Sequence, residues 1–110
     1  MWIATLSLDL LLGDVHSLKE KRSVVRPIVA ELRRRFAVSV AETGQLDLHR
    51  RAEIGMAVVA ADRGHCLEVL RSCEGLVAQR PEVEILAARE RVFTEDDADG
   101  GALPDAAVRQ

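Results

Sequence analysis

Aromatic residues are nearly missing. The 110-residue chain has no Tyr, one Trp and two Phe, namely Trp2, Phe36 and Phe93. Proteins that read single-stranded RNA commonly stack its bases on such rings, so a sheet that works as an aromatic stacking platform is not expected. Cysteine is scarce too. Cys66 and Cys73 stand seven residues apart in a helix-periodic stretch, about 10 Å along a helix axis, beyond the roughly 7 Å Cα separation that a disulfide tolerates. No CxxC pair is present, so zinc and dithiol chemistry lack their usual spacing. Both thiols read as core residues beside Val69, Leu70 and Val77.

Other absences narrow the function further. His16, His49 and His65 are scattered without an HxxxH or HExxH spacing, and Gly44, Gly55, Gly64 and Gly75 make no phosphate loop. With no nucleophile–base pair either, the expectation is a non-enzymatic protein with no catalytic residues, no metal ligands and no cofactor. The opening "MWIATLSLDLLLG" has no Lys or Arg before its apolar run, contains Asp9 and is followed by no small-residue cleavage site, unlike a secretory leader. No segment approaches the roughly 18 consecutive apolar residues that cross a bilayer. A cytoplasmic protein without a membrane partner is expected.

What is present is a periodic body. Hydrophobic residues make up 48% of the chain, enough for one core without metal or disulfide staples. Ala4, Leu6, Leu8 and Leu10 alternate with Ile3, Thr5, Ser7 and Asp9, the signature of a half-buried strand. Ser17 followed by Glu20 is a capping-box pattern and predicts a helix starting there. Its apolar residues Leu18, Val25, Ile28, Val29, Leu32 and Phe36 recur at helical steps. Pro27 falls inside this pattern and predicts a kink or a split into two helices. "FAVSVAETG" and "RAEIGMAVVA" read as strands joined by a loop, Asp62 as the cap of a second helix running to about Gln79 before Pro81, and "EVEILAARERV" as a fourth strand. The order β-α-β-β-α-β predicts an α+β, ferredoxin-like sandwich: an antiparallel four-stranded sheet with two helices on one face. Residues 1–93 form that domain, and 94–110, rich in acids, Gly, Pro and Ala, read as a disordered acidic tail.

Charge is unevenly distributed. The stretch "SLKEKRSVVRPIVAELRRRF" holds seven of the fifteen Lys and Arg against two Glu, in a chain of formal net charge −3. Residues 94–110 contain five acids and one Arg, a sum of −4, which leaves the remaining body at +1. On a helical wheel Lys19, Arg22, Arg26 and Arg33 fall within about 60° of one another. Such a stripe suits phosphates, whose bound counterions it releases; it equally suits a solvated helix flank. A second candidate is the loop "GQLDLHRRAE", where Asp47, His49, Arg50 and Arg51 offer an acceptor, a titratable ring and two guanidinium forks. That loop either holds a phosphate or partner carboxylate, or ties down its own hairpin. The third strand offers only Glu53, Gly55, Ala57 and Val59 to the uncovered sheet face.

The segments "SLKEKRSVVRPIVAELRRRFAVSVAE", "DLHRRAEIGMAVVA" and "PEVEIL", in this order and spacing over roughly residues 2 to 93, resemble the bacterial YlxP-like family. The resemblance implies a ferredoxin-like fold and a family with no established catalytic residues. Relatives are commonly encoded beside translation-initiation and ribosome-maturation genes, which implies RNA or a ribosomal component as a partner for the basic stripe. Relatives often carry Trp where this chain has His49: if that ring stacks on a partner, binding by this chain is weaker or pH-sensitive, and if it only packs the loop, little changes. The functional expectation is binding of RNA or a ribosome-associated partner through Lys19, Arg22, Arg26 and Arg33, helped by Arg50 and Arg51. The alternative is an interaction module that forms a homodimer through its open sheet face.

Overall fold

The computed structural model describes residues 1–97. Strand β1 (Trp2–Leu12) leads into helix α1 (Leu18–Arg35), strands β2 (Ser39–Gly44) and β3 (Arg51–Ala60), helix α2 (Arg63–Ala78) and strand β4 (Val83–Thr94). The sheet order is β2-β3-β1-β4 with every neighbouring pair antiparallel. The expected ferredoxin-like sandwich is therefore the observed fold.

The alternation in β1 sets the two faces. Ala4, Leu6, Leu8 and Leu10 stand opposite Val58, Met56, Ile54 and Ala52 of β3, all buried. The helices close over this side with Val25, Ile28 and Leu32 from α1 and Cys66, Leu70, Cys73 and Val77 from α2. Both thiols are free and buried, and burial pushes the Cys73 thiol from its ordinary value near 9.0 up to about 11 by disfavouring the thiolate.

Strand β4 needs a phase change to join this core. Its apolar residues Val83 and Ile85 lie an odd number of positions from Val92, so an unbroken strand would turn them to opposite faces. A bulge resolves the conflict: Asp9 pairs with Ala87 while Leu10 pairs with Ile85. Leu86 is the extra residue and is exposed, and Val83, Ile85 and Val92 all pack against the core.

Both helix starts follow their capping residues. Ser17 Oγ accepts from the Glu20 N–H at 3.1 Å, while the Glu20 carboxylate accepts from the His16 N–H at 2.6 Å rather than from Ser17. Asp62 accepts from the His65 N–H at 2.9 Å. Helix α1 runs as one element through Pro27, so the split into two helices does not occur. The missing proline N–H leaves the Ser23 carbonyl without its helical donor. Apolar residues on both sides of Pro27 reach the core, and their burial holds the helix together across the defect.

Thr94 closes β4 opposite Trp2, one residue beyond the expected end of the domain. The Asp97 carboxylate accepts from the Thr94 N–H at 2.6 Å, and Glu95 meets the N-terminal amine at 3.1 Å. The rest of the expected acidic tail, residues 98–110, lies outside the described residues.

Candidate nucleic-acid interface

Helix α1 carries seven cations, and the structure divides them by use. Lys21 is only 2% exposed. Its ammonium donates to the carbonyls of Gln45 at 2.7 Å and Leu48 at 2.9 Å and pairs with the Glu42 carboxylate at 2.8 Å. Two of its three protons thus go to loop carbonyls and pin the β2–β3 loop to the helix. Arg34 and Arg35 reach Glu31 at 3.7 and 3.4 Å, where Arg80 from the end of α2 also pairs.

Lys19, Arg22 and Arg26 are exposed and have no ion pair or side-chain hydrogen bond among the described residues. They line a depression of about 400 Å³ together with Ser23 and Pro27. Ser23, whose carbonyl proline leaves without a helical donor, is part of its lining. Arg33 is exposed as well, but one of its terminal nitrogens donates to the Val40 carbonyl at 2.8 Å. It lines a neighbouring groove of about 450 Å³ between α1 and β2, shared with Val25, Arg26, Val29, Ala30, Ala41 and Glu42. The four stripe residues therefore border two adjoining hollows that meet at Arg26.

The loop residues do not assemble into one site. Arg50 Nε donates to the carbonyls of Leu12 at 3.2 Å and Gly13 at 3.0 Å, while its own carbonyl accepts from the Leu12 N–H at 2.8 Å. It fastens the loop to the corner between β1 and α1. Arg51 opens β3 opposite Leu11, on the sheet side away from the helices, and its Nε is buried with no hydrogen-bond partner among the described residues. Asp47 and His49 are exposed and make no side-chain bond among those residues. The hairpin-tying reading fits Arg50, although Lys21 makes the stronger tie.

Sequence reasoning missed Lys21. It sits at the 3-4-3-4 spacing of Leu18, Val25, Ile28 and Leu32, within the apolar stripe rather than the basic one. A cation at a core position was the available signal.

The uncovered sheet face is smooth in the middle and charged toward one end. Thr5, Ser7, Ser39, Ala41, Gly55 and Ala57 line a shallow trough of about 360 Å³. Arg89 spans Asp9 at 3.1 Å and Glu53 at 3.3 Å. A Cβ on Gly55 would come within 2.7 Å of the Thr43 methyl, so glycine keeps the trough open beside the bulged residue Thr43. At the opposite end Val59, Ile3 and Phe93 form a row across three strands. Among the described residues no cluster of three His, Cys, Asp or Glu side chains is placed to hold a metal, and no helix is long and apolar enough to cross a membrane.

The sequence pattern of the family described as "Protein of unknown function (DUF503)" matches residues 3–90. The chain belongs to the DUF503 family. The DUF503 chain is 31% identical over 85 residues to "Uncharacterized protein YlxP" of Bacillus subtilis (strain 168), an alignment covering 77% of this chain and 92% of that relative. The YlxP-like resemblance read from the residues is therefore a family relationship. Among solved structures, the "De novo designed protein Foldit4" superposes with a TM-score of 0.51 at 11% identity, over 86% of the DUF503 chain and 99% of the designed one. That likeness concerns the fold alone.

Proposed function

We propose that this chain is a non-enzymatic cytoplasmic protein that binds RNA, free or within a ribosome-associated particle, through the exposed stripe of α1. The observation that carries the reading is the division of labour among the helix cations. Lys21, Arg34 and Arg35 are held by carboxylates or carbonyls, whereas Lys19, Arg22 and Arg26 have no partner among the described residues and border one hollow. Solvated flanks usually intersperse both signs, and this flank is cationic from end to end. Each phosphate it neutralises releases counterions, which drives binding without base reading.

The test is the salt dependence of binding to a single-stranded RNA. Three to four phosphate contacts give a log-log slope of about −2 to −3, at roughly −0.7 per phosphate. Changing Lys19, Arg22, Arg26 and Arg33 together to Gln should flatten the slope and abolish most of the affinity. A parent protein that binds no RNA at low salt, or a quadruple variant that binds as well as the parent, overturns the reading.

One observation favours a second reading, self-association through the open sheet face. Val59 is 62% exposed and continues in a row with Ile3 and Phe93, an apolar edge that a second copy would cover. Light scattering should then report a dimer that Val59→Glu dissociates, with little effect of salt. A monomer at high protein concentration excludes it.

A further inference from the structure

The groove between α1 and β2 has a chemistry that the phosphate-binding stripe does not use. Its aliphatic lining comes from Val25, Val29 and Ala30 of α1, with the β2 chain at Ala41 along the other side, and cationic side chains stand on its border at Arg26 and Arg33. About 450 Å³ falls within the size range of small-ligand pockets. It opens directly beside the hollow of Lys19, Arg22, Ser23, Arg26 and Pro27, with Arg26 common to both.

Arg33 is the residue that distinguishes this groove from a greasy seam. Its bond to the Val40 carbonyl at 2.8 Å ties one end of a flat guanidinium to the groove wall. A guanidinium held in one plane offers a stacking surface, and unpaired RNA bases stack on arginine planes as well as on aromatic rings. The same bond shows that the Val40 carbonyl points away from β3, off the free edge of the sheet. By strand alternation the backbone groups of Glu42 point outward too, so the edge of β2 presents peptide donors and acceptors along the groove. Glu42 adds a carboxylate to the groove lining, its Oε2 turned inward and paired with Lys21 at 2.8 Å.

We infer that the α1–β2 groove seats one unstacked base of a single-stranded RNA whose flanking phosphates lie on Lys19, Arg22 and Arg26. The inference rests on the RNA reading above and deepens it. Charge complementarity selects this occupant: an apolar peptide would leave three unpartnered cations idle at the mouth, and a duplex would keep its bases out of the groove. The scarcity of aromatic rings on the open sheet face, where Phe93 lies, is then no obstacle, because the stacking plane is on the helix side.

The experiment compares two probes of equal length and charge, octacytidine and an abasic ribose-phosphate octamer, against the full chain at low salt. Base stacking contributes roughly 1–3 kcal/mol per base, so octacytidine should bind roughly 5- to 150-fold more tightly, with the same salt slope for both probes. Two variants locate the effect. Arg33→Lys keeps the charge but removes the plane, and Ala30→Leu fills the groove from an exposed helix position of good propensity. Each should bring the ratio of the two affinities close to one, and thermal melts establish that both variants are folded. A ratio that survives in both folded variants overturns the groove assignment. So does equal binding of the two probes by the parent, which leaves the phosphate stripe standing. Failure of the parent to bind either probe removes the stripe and the groove together.

Discussion

The two helices have the same job in the fold and opposite surfaces. Each begins at a polar cap and lays an apolar stripe on the sheet. Helix α2 buries Cys66, Leu67, Leu70, Cys73, Leu76 and Val77, and its charged residues Arg63, Glu68, Arg71 and Glu74 balance one another. Helix α1 buries three apolar residues and one lysine, and carries seven cations against two Glu. A helix that merely needs solvation can look like α2. The excess charge on α1 is thus not a requirement of the architecture, and what it does must be sought outside the fold.

The comparison breaks if the basic stripe of α1 matters to stability as the buried face of α2 does. The largest effect is expected at the buried centre of α2, where Leu70→Ala should destabilise the domain by about 2–5 kcal/mol through lost burial and a cavity, measured by urea denaturation. Arg22→Gln on α1 should change stability by less than about 0.5 kcal/mol while weakening RNA binding. A large loss of stability in Arg22→Gln would make the stripe structural.

Lys21 is the exception within α1 and sharpens the contrast. Replacing it by Met keeps the stem but strands two carbonyls and Glu42, which is partly solvated; the expected loss is on the order of 2 kcal/mol. Hydrogen exchange in residues 45–49 should accelerate in the same variant. Unchanged exchange there would mean that other contacts hold the loop.

The effect of the α2 thiol is absent at neutral pH and appears only in alkali. The folded-state value of Cys73, about 11, lies above its ordinary 9.0, so the folded protein retains a proton that the unfolded chain gives up. Its contribution is fully present below pH 9 and is lost as pH rises toward 11, at up to about 1.4 kcal/mol per pH unit. Melts across that window should show the decline, and Cys73→Ala should lessen its slope. Equal slopes would place the thiol in a wetter setting.

Much of this was legible in the chain. Alternation in β1 and the residues Ser17 and Asp62 announce the strand and both helix starts, because burial and capping act within a few residues. The four stripe cations were also legible, since a helical wheel needs only the helix. Two things were not. The bulge in β4 depends on which residue of β1 lies opposite, a register that only long-range pairing decides. The use of each charge depends on partners far along the chain: Lys21 is paired with Glu42 and loop carbonyls, and Arg50 with the corner after β1. The loop "LDLHRR" looked like a cluster because sequence proximity stands in poorly for side-chain direction in a turn.

The strand order also carries a consequence for the timing of folding. Strand β1 lies at the centre of the sheet, yet one of its neighbours is the last strand, with Trp2 opposite Thr94. During synthesis the first strand made must wait for the final one before both its edges are paired. At 5–20 residues per second, the interval between the end of β1 and the start of β4 is roughly 4–14 s. For that time "WIATLSLDLLL" has an unpaired edge and an unfinished apolar face, the kind of segment that nascent-chain chaperones hold. Asp9 within that run places a charge on the waiting strand, a residue type that discourages edge-to-edge pairing between chains.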